Sequence, residues 1–193
     1  MQFINLNTLK QEHLTFDKTG ESYVVFFHNI SGKLTFDITA SNVELSIYGL
    51  FTGNNSDEFR IETIQKHTAP RSLSDLLIKG VFKDTSKLMY EGLIRLEKDA
   101  QQSHAYQKNQ NLILSPGVFV DSRPFLEILA NDVFCTHGST TGKLSKDQLL
   151  YAQMRGLDEK TAQDMLIQGF IDEVYDKVKA KVPAFKPPKE SLH

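Results

Sequence analysis

Between Tyr23 and His137 the chain is built almost wholly from short segments of two-residue period, and no helical period separates them. Leu34, Phe36 and Ile38 alternate with Thr35, Asp37 and Thr39. Val43, Leu45 and Ile47 alternate with Glu44, Ser46 and Tyr48. Side chains of a strand point to opposite faces in turn, so this pattern marks strands with one buried face. Further strands are expected over 23–27, 59–64, 76–81, 88–96, 111–114, 125–130 and 133–137. Turn formers lie between them: Asn29-Ile30-Ser31-Gly32, Gly53-Asn54-Asn55-Ser56, Ser115-Pro116-Gly117 and Asp121-Ser122-Arg123-Pro124. With no crossover helix before Leu144, a doubly wound α/β fold is excluded. A sandwich, a barrel and a β-helix remain. The turns recur at roughly 10–15 residues, which suits hairpins and solenoid rungs equally. No repeat of residue identities is visible, and periodicity alone does not choose among the three.

The character of the chain changes at Ser145. Ser145 with Gln148 three residues on forms a capping box, and residues 146–155 then fit a short helix stopped by Gly156. Asp158 is placed to cap a second helix with an apolar stripe of Ala162, Met165, Leu166, Gly169, Phe170, Val174 and Val178. Pro183, Pro187 and Pro188 follow, in what reads as a loose tail. The expected layout is a mainly β body over 1–142, a helical region over 143–180 and a flexible tail over 181–193.

At 193 residues the chain is long enough for one domain that needs no disulfide or metal staple. Its net charge of -2 creates no basic field, so neither nucleic acid nor an anionic membrane is an expected partner. No apolar run approaches the roughly 18 residues of a membrane span. The first ten residues lack a basic-then-apolar signal pattern. A cytoplasmic location is therefore expected. The single cysteine, Cys135, rules out an intramolecular disulfide or an all-cysteine metal site within one chain.

Two short motifs could carry chemistry. Gly138-Ser139-Thr140-Thr141-Gly142-Lys143-Leu144 approximates a phosphate-binding P-loop, but the glycines are one residue too close. Leu144 also stands where a hydroxyl must hold Mg²⁺. A glycine-hinged link from strand to helix is the better reading. Cys135 and His137 are two apart on a strand, hence on one face about 7 Å apart at Cα. Thiolate and imidazole both suit iron or zinc. A closed site takes four ligands, which two chains meeting at this strand could supply. The alternative is a buried small thiol beside a hydrogen-bonded histidine. His13, His28, His67, His104 and His193 are scattered, without ligand spacing, and are expected in surface or packing roles. No carboxylate pair stands out as an acid–base dyad, which favours a non-catalytic scaffold over an enzyme.

Residues 90–170 resemble the C-terminal core of the SufB/SufD family, scaffolds of the SUF iron–sulfur cluster assembly system. The resemblance is carried by Tyr90-Glu91-Gly92-Leu93-Ile94-Arg95, by Asp99-Ala100-Gln101-Gln102-Ser103-His104-Ala105-Tyr106-Gln107, by Asn109-Gln110-Asn111-Leu112-Ile113-Leu114-Ser115 and by Pro124-Phe125-Leu126-Glu127-Ile128. Its strongest part is Ala130-Asn131-Asp132-Val133-Phe134-Cys135-Thr136-His137-Gly138-Ser139-Thr140-Thr141-Gly142. Asp147-Gln148-Leu149-Leu150-Tyr151 and Met154-Arg155-Gly156-Leu157 complete it. The Cys-Thr-His-Gly-Ser-Thr-Thr-Gly form looks like SufD. SufB-like chains carry Glu-His-Glu there, with a cysteine near the position of Asn109, which this chain lacks.

The resemblance implies a right-handed parallel β-helix followed by an α-helical region. It implies dimerisation with a SufB-like chain or with a second copy, and docking of a SufC-like ABC ATPase on the helices. His137, with Cys135, would then be the candidate cluster or metal residue. Gln148, Tyr151, Arg155 and Gly156 would be the ATPase-docking residues. No intrinsic cofactor is expected, only a transient iron–sulfur cluster at a dimer interface. The chain looks like a core-only form, since strands begin within its first ~25 residues by alternation. Two other readings are a structural homodimer without iron chemistry and a β-helix module acting on carbohydrate. The latter lacks the acidic groove such chemistry uses.

Overall fold

A computed structural model describes residues 1–188. Its eleven strands are β1 (Gln2–Asn5), β2 (His13–Phe16), β3 (Ser22–His28), β4 (Gly32–Ile38), β5 (Glu44–Gly53), β6 (Glu58–His67), β7 (Leu73–Phe82), β8 (Lys87–Leu96), β9 (His104–Ile113), β10 (Phe119–Ile128) and β11 (Phe134–Gly142). A short α1 (Leu6–Leu9) follows β1, while α2 (Lys146–Met154) and α3 (Glu159–Lys181) end the chain. From β2 on, strands fall alternately in two sheets, one ordered β1-β3-β5-β7-β9-β11 and the other β10-β8-β6-β4-β2. Every pairing is parallel. The chain therefore coils, and the architecture is the parallel β-helix with C-terminal helices.

The repeat that residue identities conceal is one of register. Glu44 pairs with Leu73, Leu73 with His104 and His104 with Phe134, steps of 29, 31 and 30 residues. Corners are turned by residues with positive φ, among them Asn29, Asn42, Asn55 and Asp84. Short polar side chains tolerate that conformation. One corner is tied by serines in successive coils: Ser72 Oγ accepts from the Val43 amide at 3.1 Å, and Ser103 Oγ from the Ser72 amide at 3.1 Å.

The sheets differ on their outer faces. α3 lies on the outside of the first sheet, so Val24, Phe26, Tyr48, Leu50, Leu77 and Val81 pack against Ile167, Ile171, Val174, Tyr175 and Val178. Strands β3, β5 and β7 are thus buried on both sides. This corrects the reading of β5 as a strand with one wet face: Ser46 and Tyr48, expected outside, are 2% and 4% exposed. The outer face of the second sheet is wet. There β4, β6 and β8 alternate, and charges pair along the rungs, as in Lys33 with Glu62 at 2.8 Å.

Several expectations need correction. β1 and β2 precede the first strand expected from the pattern. β9 starts at His104, because the inward residues Gln107, Asn109 and Asn111 are polar and hide the alternation. Asp121 to Pro124 lie inside β10 rather than in a turn. Pro124 fits because β10 is an edge strand. The stripe of α3 is rotated: Ile167, Ile171 and Tyr175 are buried with Ala162, Val174 and Val178, whereas Met165 is 49% exposed. The start of the expected loose tail is docked, since Phe185 is buried against Phe3, Phe26 and Tyr175. His193 and the rest of 189–193 lie outside the described residues.

Candidate functional site

Two surfaces gather the residues singled out from the sequence. The first is the C-terminal end of the coil. Among the described residues β11 pairs only with β9, and β10 only with β8, so both present an unpaired edge. In register, Cys135 faces Ala105 and His137 faces Gln107. Ala105 and Gln107 are buried lumen residues, so Cys135 and His137 point inward as well. Cys135 packs with Ile94, Leu96, Ala100, Ala105 and Val133, half-buried, whereas His137 is exposed. Burial pushes the Cys135 thiol up to about 11, so it is protonated at neutral pH in the free chain. Ser139 Oγ donates to Ser122 Oγ at 2.9 Å, joining β11 to β10 in this last coil.

Around these polar groups lies an apolar rim that the sequence reading did not single out. Phe119, Phe125, Leu126, Ile128, Leu129 and Phe134 are between 38% and 67% exposed. Leu126 and Ile128 continue the inward rows of Ile94 and Leu96, and they are bare because no further coil covers them. Phe134 stacks on His104 at 5.6 Å. The run Phe125-Leu126-Glu127-Ile128-Leu129-Ala130, apolar at every position but one, was the available signal, since a strand with one wet face alternates. Among the described residues no three histidine, cysteine or acidic side chains converge to hold a metal ion. Residues 138–142 are extended strand, not a phosphate-cradling loop.

The second surface lies between α2 and α3. Ser145 caps α2 by accepting from the Gln148 amide at 3.4 Å, and Asp158 caps α3 by accepting from the Thr161 amide at 2.9 Å. Gly156, with φ 92, makes the turn between them. A groove of about 540 Å³ is lined by Asp147, Gln148, Tyr151, Ala152, Arg155, Leu157, Met165 and Leu166. Gln148, Tyr151 and Arg155 thus share one groove, with Gly156 at its end. Arg155 donates to the Tyr151 hydroxyl at 2.9 Å, and its guanidinium lies 5.0 Å from the Tyr151 ring centroid. Leu150 and Met154, 57% and 79% exposed, extend this surface. Nothing local distinguishes an exposed apolar residue on a short helix from a packed one, so the sequence did not mark them as surface.

Comparison with known proteins adds a third line. Residues 26–170 match the family described as SUF system FeS cluster assembly, SufBD core domain. The iron-sulfur cluster assembly protein SufD of Escherichia coli is 30% identical over 155 residues, covering 80% of this chain and 36% of that protein. The chloroplastic protein ABCI7 of Arabidopsis thaliana is 35% identical over 135 residues, covering 69% of this chain and 28% of that protein. An iron-sulfur cluster assembly SufBD family protein of Mycobacterium leprae is 28% identical over 157 residues. The chain spans between 28% and 40% of the length of these relatives.

Proposed function

We propose, starting from the premise that the chain belongs to the SufBD core family of the SUF iron–sulfur cluster assembly system, that it acts as a non-catalytic, SufD-like scaffold. Its open coil end would pair with a SufB-like chain or with a second copy. The observation that carries this reading is the unfinished last coil: two unpaired strand edges beside a rim of bare phenylalanine, leucine and isoleucine. Such edges invite association and gain from being covered.

The groove between α2 and α3 is the proposed seat of an ABC-type ATPase. Tyr151 and Arg155 are pre-ordered on each other, Gln148 offers an amide, and Gly156 fixes the turn. An ordered amphipathic surface costs little entropy to bind. The cluster is cargo here. One chain brings the two donors Cys135 and His137, and two copies meeting at this end would bring four.

The test is the oligomeric mass of the purified chain, alone and with a SufB-like chain and a SUF-type ATPase. A pair that binds the ATPase is expected, and Tyr151→Ala with Arg155→Ala should abolish the binding. A monomer indifferent to both proteins sinks the proposal. A second reading, a homodimer without iron chemistry, rests on Cys135 being half-buried against Ile94, Leu96, Ala100 and Ala105, as a packing thiol would be. Anaerobic iron and sulfide reconstitution separates the two: absorbance that is lost in Cys135→Ala and His137→Ala supports the cargo role.

A further inference from the structure

Lys79 is the one charged residue in the apolar core of β7, Leu76-Leu77-Ile78-Lys79-Gly80-Val81. It points outward, under α3, and its side chain is 3% exposed. The ammonium donates to the Phe170 carbonyl at 3.0 Å, pairs with the Glu173 carboxylate, and sits 4.0 Å from the centroid of the Phe170 ring. All three partners belong to a single turn of α3. A leucine or methionine would fill this place without the desolvation that a buried ammonium costs. What the ammonium adds is direction, since it can be satisfied at only one axial position and one rotation of the helix.

That turn divides α3 into unlike parts. From Ile171 on, Ile171, Val174, Tyr175 and Val178 are at most 4% exposed, packed against β3, β5 and β7. Lys181 also pairs with Glu44 at 2.8 Å. Before that turn, Ile167 still packs on the sheet at 8% exposed, but ahead of Ile167 the helix comes away: Met165 is half exposed, and the helix bridges a cavity of about 410 Å³ lined in part by Lys79, Leu144, Met165 and Phe170. α2 packs mainly on this first part of α3, where Ala152 and Ala162 are both buried.

We propose that Lys79 is a positioning residue for the α2–α3 head: it pins the turn around Phe170 and Glu173, beyond which residues 146–166 project as a unit while Ile167 and residues 171–181 stay fixed to the coil. Use of that pivot to carry a pull from an ATPase into the coil rests on the docking reading above. The pivot itself does not.

Hydrogen exchange on the full chain, read by peptide mass, tests this. In Lys79→Met, amides of 146–166 should exchange at least tenfold faster than in the wild type, while those of 171–178 keep their protection. Glu173→Gln should give the same regional pattern, and it serves as the test if Lys79→Met does not fold. Unchanged exchange in 146–166 overturns the proposal. So does equal acceleration along the whole of α3, which would make Lys79 a general packing residue. If the wild type fails to bind an ABC-type ATPase, the docking reading falls and the exchange result stands.

Discussion

The two ends of the coil are built from different materials. At the first end the lumen is dry: Phe16, Phe27, Phe36 and Phe51 are at most 1% exposed, Leu6 of α1 joins them, and Phe16 meets Tyr23 edge-on at 4.8 Å. Following one row inward along the coil, Val25, Ile47 and Leu76 give way to Gln107 and then His137. Thr63, Gln65, His67, Ser74, Asn109 and Asn111 make the later lumen polar, and the last coil is left open. The first end supplies stability, because burial of aromatic surface is the largest favourable term available. The second gives some of that up, and offers hydrogen-bonding groups and bare apolar side chains to a partner.

The sharpest way to break this contrast is truncation. Phe51→Ala or Phe36→Ala in the dry half should cost about 3–5 kcal/mol in urea unfolding. A loss no larger than that from truncating the open rim would erase the distinction. Next comes pH. His67 is fully buried, donates to or accepts from Ser74 Oγ at 2.8 Å, and is held by burial down to about 4 against an ordinary 6.5. The unfolded chain therefore binds a proton before the folded one does. The stability tied to neutral His67 is intact above pH 6.5 and is lost as pH falls towards 4, about 3 kcal/mol in all. Urea midpoints at pH 7.5 and 4.5 measure it, and His67→Leu should flatten the difference. At the open end, Leu129→Asp with Phe134→Asp should shift stability by no more than about 0.5 kcal/mol. The same pair should reduce the mass of the wild-type assembly to that of one chain in light scattering. Finally, Cys135 should alkylate at pH 7.5 about a hundredfold more slowly than an unburied thiol, with a rate that rises towards pH 11.

The coil was legible in part. Alternation located β4, whose outer face meets water, and also β5, whose expected polar face of Ser46 and Tyr48 is instead buried, because nothing local said that a helix covers it. The caps Ser145, Gly156 and Asp158 were read correctly because capping is a short-range bond. Coil against sandwich was not decidable from period, since both use the same strand. The resemblance around Cys135 decided it. The rotation of the α3 stripe escaped because Phe170 and Met165 satisfy the spacing as well as Ile167 and Ile171 do, and only the sheet beneath chooses. The rim at Leu126 and Phe134 escaped for a related reason: exposure there follows from the coil stopping, which no local pattern records.

One residue bears on how far such a molecule can grow. A rod of stacked strands with a bare edge is a template for endless addition, the route to fibrils. Pro124 sits in the middle of the bare strand β10 and has no amide hydrogen to offer a newcomer. A stranger's strand laid along it would find the ladder interrupted at its centre. Growth by polymerisation is thereby checked at this tip, while β11 stays free to meet a single complementary neighbour.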